Sequence, residues 1–290
     1  MSLDRIRLAS LHNKVISPEQ AAEFIKDGMT VGMSGFTRAG EAKAVPLALV
    51  QQAKANPLKI TLITGASLGN DLDKQLTEAG VLARRLPFQV DNTLRKAINN
   101  GEVMFIDQHL SETVEQMRNL QLKKPDVAII EAVAITEDGG IIPTTSVGNS
   151  ASFAIFAEKV IIEINTNLSP AFEGLHDIYI PTYRPTRQAI PLTQVDERIG
   201  THAINIDPSK IVGIVFNSEL HDSPSTVTAP DDETQSIANH LIAFFEKEVA
   251  EERLPKNLGP LQAGIGSIAN AVLTGLKDSN FEDLIMYSEV

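Results

Sequence analysis

The chain has 290 residues, 43% of them hydrophobic and 21% charged. That balance excludes collagen, coiled coil and wholesale disorder, and the length suits one large α/β domain or two ordinary ones of roughly 100–200 residues each. A formal charge of −12 argues against nucleic acid or an anionic membrane as the main partner, so any phosphate must be held by a local site. Cys is absent, which removes disulfides, thiolate metal ligands and a Cys nucleophile.

The first helix is expected after Ser17, an N-cap followed by Pro18 at the first position and Gln20 to complete a capping box. Residues 30–34 read as the first strand, Pro46 as the start of a helix, 59–64 as a strand and 71–78 as a helix. Asn92 starts another helix, a further one is expected over 111–120, and a long strand over 127–135. From 136 to 183 the Gly and Pro density predicts short strands and functional loops, with a strand at 160–165 and another at 210–216. Residues 224–232 read as a linker, and 232–251 as an amphipathic helix with Ile237, Leu241, Ile242 and Phe245 on one face. A Gly-rich turn, a helix over 267–276 and an apolar strand over 284–290, expected to be buried, complete the chain. Short apolar runs alternating with helix-period segments indicate an α/β fold with a doubly wound, mainly parallel sheet. The expected division is an N-terminal domain at 1–225, a linker and helix at 226–253, and the start of a second, similar domain at 254–290. Because the last strand has no capping helix or polar tail, the chain is expected to be cut there. No apolar run reaches the length of about 18 residues needed to span a membrane. With a polar start that lacks a signal h-region, this gives the cytoplasm as the expected location.

Three glycine-rich constellations are candidates for chemistry. Gly65-Ala66-Ser67-Leu68-Gly69 matches the G-x-S-x-G elbow of serine hydrolases, although only two strands precede it and no oxyanion segment of the HGGG type is present. A small-residue turn is the alternative. Gly264-Ile265-Gly266-Ser267-Ile268-Ala269 is a turn into a helix whose backbone amides suit a pyrophosphate, from a dinucleotide or from coenzyme A, with a simple Gly-permitted helix entry as the alternative. The glycine-studded loop from Val31 to Gly40 after the first strand, where Thr37 and Arg38 can add donors for a carboxylate, and the turn from Thr145 to Ser150 can line one crevice and hold a small anion; two surface turns are the alternative. The six His residues are scattered and no two share a helix turn; Glu173 and His176 have Glu-x-x-His spacing, but Gly174 and the surrounding Gly/Pro-rich stretch argue against a shared helical face. The Arg184 and Arg187 cluster can meet phosphates or lie in a solvated loop.

Taken in order, several segments together resemble the acetyl-CoA hydrolase/transferase family, the class I CoA-transferases. They are Ser34-Gly35-Phe36-Thr37 with Gly40 and Lys43, Thr145-Ser146-Val147-Gly148, Asn165, and Gly174-Leu175-His176-Asp177-Ile178-Tyr179. The segment from Pro260 to Val272 and the closing Tyr287-Ser288-Glu289-Val290 complete the set. The resemblance implies the CoA-transferase type of sheet and a comparable second half beyond residue 290. It makes Glu289 the catalytic residue, although a Glu near a strand end is more often a solvated edge residue. It makes Gly264, Ile265, Gly266, Ser267 and Ile268 the turn that binds coenzyme A, and Gly35, Phe36, Thr37, Val147, Gly148 and Asn149 the seat of a small acid. The implied reaction is CoA transfer between a short-chain acyl-CoA and an acetate-, succinate- or propionate-class acid through a glutamyl-CoA thioester, with no metal, no NAD and a homo-oligomeric assembly. Arg38 and Glu41-Ala42 stand where acetate-specific members often have small or Tyr-Pro residues, which leaves the acyl specificity open. Acetyl-CoA hydrolysis at the same site, a serine esterase at Ser67 and a non-catalytic CoA- or nucleotide-binding domain are the alternative functions.

Overall fold

In the computed structural model, which describes residues 3–194, 197–222, 229–264 and 266–288, apolar runs become the strands of one sheet in the first of two units, residues 1–223. Its elements are α1 (Pro18–Ala22), β1 (Thr30–Met33), α2 (Ala44–Ala55), β2 (Ile60–Thr64), α3 (Leu72–Glu78), β3 (Leu82–Leu86) and α4 (Asn92–Asn99). They continue with β4 (Met104–Phe105), α5 (Leu110–Arg118), β5 (Val127–Ile135), β6 (Ile141–Pro143), α6 (Ser150–Phe156), β7 (Lys159–Asn165) and β8 (Ile211–Asn217). The strand order is β4-β3-β2-β1-β5-β7-β8, with β6 beside β5. Every pairing along the main path is parallel and only β6 runs antiparallel. From β1 the chain winds outward to β4, then returns to the other side of β1 to lay down β5, β7 and β8. This is the doubly wound arrangement, and its switch point lies between β1 and β5.

Side chains alternate across the sheet, so each strand serves two cores. Val31, Met33, Leu62, Val127, Ile129 and Ile161 face one side, packed with Leu49 of α2, Leu72 and Leu76 of α3 and Leu94 of α4. Ala128, Ile130, Ile162 and Ile164 face the other, packed with Met117 of α5 and Phe153 of α6. All nine positions of β5 are buried, as a central strand covered on both faces requires. The Ser17/Gln20 capping box forms. Helix α2 begins at Ala44, two residues before the expected Pro46, because proline is tolerated anywhere in the first turn, where the amides have no intrahelical partner.

Helix α6 escapes sequence reading because six of its seven residues are buried, leaving no polar face to show a helical period. Strand β3 carries two arginines, and the second, Arg85, is wholly buried. Its guanidinium donates to Asp73 through Nε (2.8 Å) and Nη2 (3.2 Å) and to the carbonyls of Leu86 and Ala66.

The second unit, residues 224–290, contains α7 (Asp232–Ala250), β9 (Pro260–Ala263), α8 (Ser267–Lys277) and β10 (Ile285–Ser288). Asp231 and Thr234 form a capping box on α7. The segment before the Gly-rich turn forms β9, with which β10 pairs in parallel. Gly275 of α8 faces Ala238 and Ile242 of α7. The expectation that the last strand is buried is corrected: Ile285, Met286 and Tyr287 are 43%, 39% and 45% exposed. A two-stranded sheet gives β10 a neighbour on one edge only, and a strand in that position keeps much of its surface in water.

Breaking the Arg85–Asp73 pair from one side strands a buried charge. Asp73→Ala is expected to lower unfolding free energy by about 3–5 kcal/mol in urea titrations. The double replacement Asp73→Leu with Arg85→Met is expected to recover most of that loss.

Candidate active site

In an open parallel sheet the ligand crevice opens at the carboxyl ends of strands on either side of the switch point. Three turns converge there. The first leaves β1: Phe36 and Ala39 exchange backbone hydrogen bonds of 2.9 and 3.0 Å across Thr37 and Arg38, whose φ angles are 51° and 67°. Left-handed backbone at a β-branched residue costs of order 1–3 kcal/mol and persists only where its surroundings enforce it. The enforcement is visible. The Arg38 amide donates to the Ser67 carbonyl (3.1 Å), Ser146 Oγ donates to the Ala39 carbonyl (2.7 Å), and the Gly40 amide donates to Asp222 Oδ2 (3.3 Å).

The second turn, residues 65–70, follows β2, and the third, 144–149, follows β6. A Cβ at Gly65 would stand 2.5 Å from the Gly35 carbonyl oxygen and 3.6 Å from the Asn149 amide, and one at Gly148 would stand 3.4 Å from Phe36 Cβ. Backbone from all three turns therefore meets at one place. Beside it Phe36 and Ala66 open onto a cavity of about 560 Å³, further lined by Phe88, His109 and Leu110.

Beneath the turns lies a buried polar layer. Glu131 of β5 and Glu163 of β7 are register partners, so two carboxylates leave the same sheet face side by side. Each finds its positive partner at the start of α2. Glu163 accepts the amides of Lys43 (2.8 Å), Ala44 (2.9 Å) and Val45 (3.1 Å), capping a helix whose own N-cap residue, Lys43, makes no side-chain cap. Glu131 accepts Lys43 Nζ (2.6 Å), Thr144 Oγ1 (2.6 Å) and Asn165 Nδ2 (3.0 Å). The Lys43 ammonium, fully buried, also meets Asp222 Oδ1 at 2.7 Å and the Glu41 carbonyl at 2.7 Å. Burial alone would push Lys43 toward neutrality, but Glu131 and Asp222 outweigh it and its pKa is raised. Burial pushes the Glu131 and Glu163 carboxyls upward, against the donors that favour their charged forms. Asp222 also accepts from Thr145 Oγ1 (3.1 Å). His176 donates through Nε2 to the Thr144 carbonyl (2.7 Å), which makes it a support of the third turn.

Of the sequence candidates, Gly35, Phe36, Thr37, Val147, Gly148 and Asn149 fall in the first and third turns, as one crevice requires. Ser67 is 5% exposed and α3 starts only at Leu72, so no strand-turn-helix elbow presents its hydroxyl to solvent. Gly264, Gly266, Ser267 and Ile268 form the entry to α8, where Gly266 (φ 123°) supplies no side-chain cap. Ile265 and Glu289 lie outside the described residues. Arg184 and Arg187 pair with Glu115 of α5. Sequence reasoning did not single out Glu131, Glu163 or Asp222. For the first two a signal existed: a lone carboxylate inside an otherwise apolar strand.

The acetyl-CoA hydrolase/transferase N-terminal domain family matches residues 2–216. The succinyl-CoA:acetate CoA-transferase of Clostridium kluyveri is 45% identical over 99% of this chain and 53% of its own length. The acetyl-CoA hydrolase of Kluyveromyces lactis is 44% identical over 99% of this chain and 56% of its own. The chain thus spans about half the length of the curated relatives it matches. Among solved structures, RipA from Yersinia pestis superposes with a TM-score of 0.68 at 18% identity, covering 97% of this chain and 57% of that one. A 4-hydroxybutyrate CoA-transferase from Porphyromonas gingivalis gives 0.56 at 18% identity, covering 97% and 55%. At these identities the structures show the fold alone.

Lys43→Met removes the cation from Glu131 and Asp222 and is expected to cost about 3–5 kcal/mol of unfolding free energy near neutral pH. Without Lys43 the folded-state pKa of Glu131 rises further above its unfolded value, so its contribution is present in acid and lost as pH rises. Denaturation curves at pH 5 and pH 8 should therefore show the larger deficit at pH 8.

Proposed function

Because this chain belongs to the acetyl-CoA hydrolase/transferase family, we propose that it carries the acid-binding turns and the nucleophile of an enzyme that moves CoA between a short-chain acyl-CoA and a carboxylate. The convergence of three backbone turns on one strained turn at the sheet's switch point carries this reading. It is a place built for a small anion without a net positive protein. Phe36 walls it against water, and the adjoining cavity has room for an acyl chain and part of a thiol-bearing arm.

Glu289 is the proposed nucleophile. Its carboxylate oxygen attacks the thioester carbonyl carbon, the C–S bond breaks, and a mixed anhydride and CoA thiolate result. The thiolate attacks the glutamyl carbonyl, the anhydride C–O bond breaks, and the first acid leaves from a glutamyl-CoA thioester. An incoming carboxylate runs the two steps in reverse and departs as the new acyl-CoA. Each tetrahedral oxyanion requires N–H donors already in place, the part assigned to the backbone amides of Gly35, Thr37, Val147, Gly148 and Asn149, since the Phe36 amide is committed to the Ala39 carbonyl. The uncapped amides at the start of α8, with Gly264, Ile265, Gly266, Ser267 and Ile268, suit the coenzyme A pyrophosphate.

Hydrolysis is the same chemistry with water as the second nucleophile, and the nearly equal likeness to a transferase and to hydrolases keeps it as the second reading. A second half of the length found in the relatives is proposed to cover the exposed apolar face of β10 and complete the crevice; a homo-oligomer follows by family analogy. Among the described residues no helix is long and apolar enough to cross a membrane.

In the full-length protein, ping-pong kinetics and borohydride trapping of an adduct at Glu289 are expected. Glu289→Ala should lose about a thousandfold or more in kcat, the scale on which removal of a nucleophile is felt. Normal turnover by that variant would sink the mechanism.

A further inference from the structure

Glu41 is an acid that the mechanism above does not use, yet it is wholly buried. It lies between the first two turns. A Cβ added at Gly35 would come to 2.8 Å from Glu41 Cβ, and one added at Gly69 would run into Glu41 Oε1. Both glycines therefore mark the close approach of backbone to this one side chain. Oε1 accepts from Asn70 Nδ2 at 2.9 Å, which ties the wedge to the second turn; Oε2 is buried with no hydrogen-bond partner among the described residues.

We propose that Glu41 is a positioning residue that sets the gap between the turns after β1 and β2, and through it the size of the acid the enzyme accepts. The inference rests on the reading of these turns as the acid's seat. Phe36 comes from the first turn and Ala66 from the second, and they are two walls of the same cavity. A side chain wedged under both turns therefore fixes the separation of the walls. Since interiors are close-packed, removing that wedge moves or loosens the walls.

The protonation state of Glu41 provides an independent readout. Burial raises its pKa, Lys43 lowers it and Asp222 raises it, with a net upward shift. The groups facing it are Lys43 from its own loop, Asp222 from the segment after β8 and Asn70 from the second turn. A neutral Glu41 leaves the seat open to a carboxylate. As pH rises and it ionises, a negative charge appears under the seat and the acid should bind more weakly.

The test uses the full-length enzyme with acetate, propionate and butyrate as acceptors. Glu41→Ala is expected to shrink the ratio of kcat/KM for the preferred acid to that for the others by tenfold or more, while leaving the KM for acyl-CoA within twofold. Glu41→Gln, nearly isosteric, is expected to keep the wild-type ratio and to abolish the rise in acid KM that accompanies Glu41 ionisation as pH increases. An active wild type whose folded Ala variant keeps its selectivity, or whose Gln variant keeps the rise in acid KM with pH, overturns this inference alone. A wild type that exchanges CoA with no short acid overturns the transfer reading, and this inference with it.

Discussion

One buried ammonium group organises the carboxyl edge of the sheet. Lys43 Nζ has lost all contact with solvent and is held by Glu131, Asp222 and the Glu41 carbonyl, and no two of these acceptors come from the same element. A charge so placed is tolerable only when nearly every direction around it offers an oxygen. The neighbouring Glu163 presents the mirror problem, and it is solved by the same three residues of chain: the first amides of α2, with the partial positive charge of a helix N-terminus behind them. Two in-register carboxylates that would repel each other are thus neutralised by a side chain and a backbone belonging to one helix start.

That polar layer explains how the strained first turn survives. Thr37 and Arg38 sit in backbone conformations that neither residue favours, and nothing in their own chemistry holds them there. They are held by partners on other segments: the Ser67 carbonyl, Ser146 and, through Gly40, Asp222. The strain is local, while its compensation is spread over residues far apart in the chain. Phe36 and the turn amides are consequently fixed by the whole sheet edge and not by the loop that bears them.

The fold was largely legible because its strands are buried on both faces and announce themselves as continuous apolar runs; Val127–Ile135 is the plainest case. Local chemistry marked the helix starts at Ser17 and Asn92, and the structure adds Asp91 as the cap of the second. Elements without such a contrast stayed hidden: α6, whose two serines are buried along with its apolar residues, and β3, where two arginines interrupt the apolar run and only the fold sets Asp73 beside Arg85. At the site, glycine spacing pointed to the first and third turns, since backbone crowding leaves a compositional trace. The ion layer left less. Lys43 appeared as one member of a pattern, and its meeting with Asp222 depends on tertiary geometry that no local spacing encodes. The C-terminal strand misled because apolar content reports the tendency to be buried, and says nothing of whether a neighbour is there to do it.

The bond between Gly40 and Asp222 spans 182 residues, and Thr145 joins the same carboxylate. The loop after β1 is made early in synthesis, yet one of the groups that hold it in shape is among the last of the first unit to be joined to the chain. Until Asp222 arrives, that loop lacks one of its restraints, Lys43 lacks an acceptor, and closing the contact carries the loop entropy of nearly the whole unit. The sheet can therefore assemble before the crevice is set. The last of the restraints on these turns is in place only when the chain has completed β8 and added Asp222.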